Sequence, residues 1–95
     1  MPYITQDRRE VFNPIIDQLQ TELAKMEADN FDSGNNTEGN INYIFTKLLL
    51  QVYAAPLNYG NINDAVGILE NVKLEFYRRY AGPYEDKKAA INGDV

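Results

Sequence analysis

Between Asn40 and Pro56, the apolar residues Ile41, Ile44, Phe45, Leu48, Leu49, Val52 and Tyr53 keep the i, i+3, i+4, i+7, i+8 spacing without a miss. A period near 3.6 residues puts them on one face of an α-helix, whereas a strand would need strict alternation. The spacing predicts a helix over residues 41–54, capped by Asn40 and stopped by Pro56.

Two further segments obey the same rule. Asn13-Pro14 offers a cap and a first-turn proline, and Ile15, Ile16, Leu19, Leu23 and Met26 follow as a single stripe. They predict a helix over 14–28, with Phe12 placed to fold back as a staple and residues 7–11 able to add a turn before it. Asn61 or Asn63 caps a third helix that runs to Ala81, with Ile62, Ala65, Val66, Leu69, Val72, Phe76 and Tyr80 as its stripe. Gly82-Pro83 reads as a stop, Gly82 suiting the left-handed position after a helix. A short charged helix over 83–91 then ends at Asn92-Gly93. Asp29–Asn40, filled with Asn, Asp, Ser, Gly and Thr, reads as a loop that is either mobile or functional. The expected fold is all-α: a helical bundle of three amphipathic helices plus a short C-terminal helix, forming one domain over residues 1–95. Within it the 29–40 loop is expected to be flexible, and residues 83–95 form the C-terminal segment.

Tyr43 and Leu50 land on the opposite side of the second helix from its main stripe. A helix apolar on two sides either sits centrally or meets a second subunit. A homo-oligomer, in the simplest case a dimer, is therefore expected.

Composition narrows the function. A net charge of −5 lacks the basic footprint that general nucleic-acid binding needs. The chain has no Cys and no His, which removes thiol chemistry, disulfides and the commonest metal ligands. Glu70, Glu75, Glu85 and Asp86 do not form the i, i+3 carboxylate pairs of a helical Mg²⁺ site, so no metal and no cofactor is expected. The leucine run Leu48–Leu50 is far short of a membrane span. Met1–Asn13 is polar and charged, unlike a signal peptide, so the cytoplasm is the expected location. In that setting the glycosylation triplet Asn35-Asn36-Thr37 carries little meaning.

What remains for chemistry is concentrated late in the chain. Lys73 falls about 35° from the middle of the third stripe, where a charge is unexpected. Either its stem lies along the core edge while the ammonium reaches water or Glu70, or it is a partly buried cation for an anionic ligand. Glu75, Tyr77, Arg78 and Arg79, followed by Tyr84, Glu85 and Asp86, crowd arginines, tyrosines and carboxylates together. Arg78 and Arg79 can bridge to Glu75, Glu85 or Asp86 and pin the last helix. Alternatively the Tyr/Arg cluster is a binding surface or, third, an active site. There is no glycine-rich phosphate loop and no nucleophile elbow.

Several segments resemble an uncharacterised family of small proteins encoded by bacteriophages and by some bacteria and archaea. They are Asn42-Tyr43-Ile44-Phe45-Thr46-Lys47-Leu48-Leu49-Leu50, Lys73 to Arg79, Pro83-Tyr84-Glu85-Asp86-Lys87 and Asn92-Gly93-Asp94-Val95. The resemblance covers nearly the whole chain. This chain departs from it in a longer 29–38 loop and in Phe45, where the family tends to carry Ile or Val. The family is a domain of unknown function, so the resemblance implies no activity. It marks Tyr43 and Thr46 in the second helix, and Lys73, Glu75, Arg78, Arg79, Tyr84, Glu85 and Asp86 later, as residues of the family motif. The expected function is a non-enzymatic accessory role through protein–protein interaction with an unidentified protein. The alternative is binding or hydrolysis of a nucleotide or other anion.

Overall fold

The computed structural model describes residues 3–29 and 37–95. Among them every regular element is helical: α1 (Gln6–Asp29), α2 (Thr37–Tyr53), α3 (Tyr59–Phe76), a π-turn (Tyr77–Ala81) and α4 (Gly82–Asn92). The protein is all-α, as the three apolar periods require. The chain divides into two units, Tyr3–Ala55 and Pro56–Val95.

In the first unit, α1 begins eight residues before Pro14, which lies inside the helix. Asn13 is therefore not its cap, and Phe12 is a helical residue instead of a staple. The helix start is built from residues the apolar period does not mark. The Arg9 amide donates to the Thr5 carbonyl at 3.0 Å, and Arg9 Nε donates to the Ile4 carbonyl at 2.7 Å. Asp7 in the first turn complements the helix dipole. Pro14 supplies no N–H to the Glu10 carbonyl, but this stretch of α1 is solvent-exposed, so water can take that acceptor. A proline signal for a helix start is thus outweighed by the favourable first turn upstream.

The second helix also starts early. Thr37–Asn40 form its first turn, so Asn40 is a helical residue and not the cap. Its side chain instead reaches α1, Nδ2 donating to Met26 Sδ at 3.7 Å. The remainder of the expected loop, with Phe31 and most of the glycosylation triplet, lies outside the described residues. Met26 meets Asn40, Leu19 and Ile44 line the same groove, and so do Phe12 and Gln51, so the two helices run antiparallel.

In the second unit, Asn58 caps α3, in place of Asn61 or Asn63. Its extended backbone (φ −149°, ψ 169°) aims Oδ1 at the Asn61 amide, 2.9 Å away. Asn61 Nδ2 donates in turn to the Pro56 carbonyl at 2.8 Å. Gly82-Pro83 does not stop the helix. Gly82 is right-handed (φ −57°, ψ −57°), and its N–H donates to the Tyr77 carbonyl, an i→i−5 bond. The wider turn just before Pro83 provides slack where an α-helical register would bring the proline ring against the Arg79 carbonyl. The expected third and fourth helices are therefore one helical run, Tyr59–Asn92, carried through the π-turn. It ends at Gly93, whose positive φ of 94° is one that glycine adopts readily, so the helix-ending glycine is Gly93 and not Gly82.

None of the described side chains is buried. The stripes expected to be hidden are open to solvent: Leu48 is 56 %, Leu69 42 % and Phe76 65 % exposed.

Candidate functional site

Two regions compete for attention. The first lies between α1 and α2, where Phe12, Ile15, Ile16 and Leu19 face Tyr43, Ile44 and Leu48 across an open groove of about 610 Å³, with Lys47 and Gln51 on its wall. Tyr43 also lines the adjoining stretch with Leu23 and Met26. Helix α2 turns only one flank of its stripe to α1, through Ile44 and Leu48 together with Tyr43, Lys47 and Gln51. Phe45, Val52 and Leu50 remain exposed elsewhere on the helix, so α2 keeps apolar surface beyond the pair. Thr46 is an exposed residue of the same helix.

The second region is the helical run Tyr59–Asn92, which carries the other motif residues. Lys73 Nζ contacts Glu70 Oε1 at 3.3 Å, and the lysine side chain is largely exposed. This is the intrahelical pairing anticipated as one of its two roles. Glu75 is the most sheltered carboxylate among the ion pairs, 24 % exposed, and it is gripped from both sides. Arg78 Nε donates to its Oε2 at 3.2 Å while Arg78 Nη2 donates to Oε1, a two-pronged geometry that only arginine offers a carboxylate. The Arg79 guanidinium lies 5.9 Å from the Tyr80 ring centre, and Lys88 Nζ lies 5.6 Å from that of Tyr84. Phe76 and Tyr80 stack with centroids 5.4 Å apart, across the junction between α3 and the π-turn.

These contacts share one property: each joins residues no more than four positions apart along the same helical run. They stiffen it and display alternating charge and aromatic surface. Since α4 continues α3 and does not fold back on it, the arginines have no separate helix to pin. Tyr77, Tyr84, Glu85 and Asp86 are exposed along this surface. Tyr43 and Thr46 belong to the other unit. Among the described residues, no group of three or more carboxylates is placed to hold a metal ion, and no helix is long and apolar enough to cross a membrane.

The Asp7 carboxyl group is shifted clearly. Asp7 is held below the usual aspartate value, chiefly because the Thr5 side chain hydrogen-bonds to it. Desolvation opposes this, and lesser backbone hydrogen bonds from Arg8 and Asp7 act in the same direction as Thr5. It belongs to the start of α1 and not to either candidate region.

The apolar stripes mark Ile15, Ile16, Leu19, Ile44 and Leu48 of the groove, and the second apolar side of α2 marks Tyr43. Phe12, Lys47 and Gln51 lie off the stripes and carry no sequence signal for it.

A family described as a domain of unknown function (DUF6899) matches the chain over residues 1–95. The chain belongs to this family. Comparison with curated proteins and with solved structures returned no match.

Proposed function

We propose that this DUF6899 member is a non-enzymatic interaction protein that works as a homodimer and acts on a further protein. One observation carries the reading: large apolar side chains on every long helix stand open, among them Phe76 at 65 % and Val66 at 60 % exposure. Contiguous apolar surface of this kind is costly in water and marks contact with another macromolecule. The cationic and aromatic residues around Arg78 suit the rim of such a contact, where arginine and tyrosine commonly anchor partners. An accessory role in a phage-infected or prokaryotic cytoplasm fits the motif resemblance. An anion or nucleotide site on Lys73, Arg78 and Arg79 is less well supported, since Glu70 and Glu75 already engage two of those cations.

Size-exclusion chromatography with light scattering tests the association. The expected result at tens of micromolar is twice the mass of one chain. A strict monomer there would remove the basis of the proposal.

A further inference from the structure

Within the Pro56–Val95 unit, the run Tyr59–Asn92 has no second helix beside it, and isolated helices in water are marginal without a packed face. Its apolar stripe needs a cover. Three features of the run itself say what kind.

The stripe is graded in shape. Ile62, Ala65, Val66 and Leu69 make its first half aliphatic, while Phe76 and Tyr80 make its second half an aromatic block. Laid parallel, two such stripes would crowd rings at one end and leave space at the other. Laid antiparallel, small meets large at both ends and the helix spacing stays even, which close-packed interfaces demand.

Charge is graded in the same sense. Tyr59–Glu70 carries Asp64 and Glu70 and no Lys or Arg. The rest of the run carries Lys73, Arg78, Arg79, Lys87 and Lys88 against Glu75, Glu85 and Asp86, a net positive balance. Antiparallel pairing puts the acidic half of one copy beside the basic half of the other and opposes the two helix dipoles.

The centre is self-complementary too. Glu70 and Lys73 already meet at 3.3 Å within one chain, beside the middle of the stripe. About a two-fold axis at that point, each Lys73 can reach Glu70 of either chain, the arrangement of an isologous interface.

We infer that the cover is a second copy of this chain, its α3 lying antiparallel on the first, with Val66 opposite Phe76 and Ile62 opposite Tyr80. The inference rests on the self-association proposed above and names the surface that mediates it.

The chain has no cysteine, so single cysteines report the pairing without background. Val66→Cys and Phe76→Cys chains are mixed, allowed to exchange, and treated with a short bis-maleimide. Cross-linked dimer in the mixture, and none above background with either variant alone, is the expected result. If either variant loses helicity by circular dichroism, Ile62→Cys with Tyr80→Cys asks the same question. A Lys73→Glu chain should dimerise at least roughly tenfold more weakly, and Glu70→Lys added to it should restore the affinity.

Light scattering on the same samples separates the ways to fail. A dimer that does not cross-link in the mixture, or variants that cross-link with themselves, overturns the antiparallel pairing and leaves self-association standing. So does a Lys73→Glu chain as tightly dimeric as the parent. A monomer overturns both and assigns the cover to the same chain or to a different protein.

Discussion

The two units of this protein spend similar apolar sequence in different ways. In Tyr3–Ala55, side chains far apart in sequence come together across two antiparallel helices: Met26 meets Asn40, and Phe12 and Gln51 line one groove. In Pro56–Val95, every specific contact described above is local, such as Lys73 with Glu70, Arg78 with Glu75 and Phe76 with Tyr80. The first unit has begun to form a tertiary interface. The second is a reinforced rod whose stripe is exposed. An amphipathic period therefore says that a face must be covered, but not what covers it.

Substitutions can break this contrast. The largest effect should come from Val72→Pro in the middle of α3, where the ring and the missing N–H cost about 3 kcal/mol or more. Because the rod relies on backbone continuity, we expect circular dichroism to show a large loss of helicity. Amide exchange should quicken through α3 while α1 and α2 stay protected. Equal loss in both units would mean that they do not stand apart energetically.

Leu19→Ala probes the other side of the comparison. Leu19 lines the groove but is only partly covered, so truncation should cost about 1–2 kcal/mol, below the toll at a fully buried leucine. Chemical denaturation measures it. The loss should appear in α1 and α2, and a value near zero would mean that the α1–α2 contact contributes nothing to stability.

The smallest effect is electrostatic and confined to the start of α1. Asp7 has a folded-state pKa below its unfolded value, so its contribution is complete above the unfolded value and disappears as pH falls through the depressed one. Amide exchange at Arg8 and Arg9 should quicken in acid below the usual aspartate range. Asp7→Asn should abolish that acid step and leave the rod untouched.

Much of this architecture was legible beforehand because helical periodicity is a local property. The stripes of α2 and α3 are where the spacing puts them, and the pairing of Lys73 with Glu70 follows from one helical turn. Apart from the stripes that stay open to solvent, the departures lie at boundaries. Asn13-Pro14, Asn40 and Gly82-Pro83 each read as punctuation, yet each lies within helical structure. At Pro83 the reason is visible: a π-turn absorbs the proline that an α-helix would reject. Asn58, one position before α3, caps it, although Asn61 and Asn63 carry the same capping side chain. Of the candidate residues, the pairs along the rod could be anticipated. The full lining of the groove could not, because Phe12, Lys47 and Gln51 join the stripe residues there only through the approach of two helices.

What the sequence determined alone is the helical class, the faces that must leave water and the charge gradient along the last helical run, since each follows from residue order and a repeat of 3.6. Only the tertiary structure decided that α1 meets one flank of α2, that the chain passes Gly82-Pro83 unbroken, and that Phe76 and Val66 remain uncovered. Those outcomes depend on competition between alternative partners for the same apolar surface. That competition is settled by packing, which no spacing along a single chain encodes.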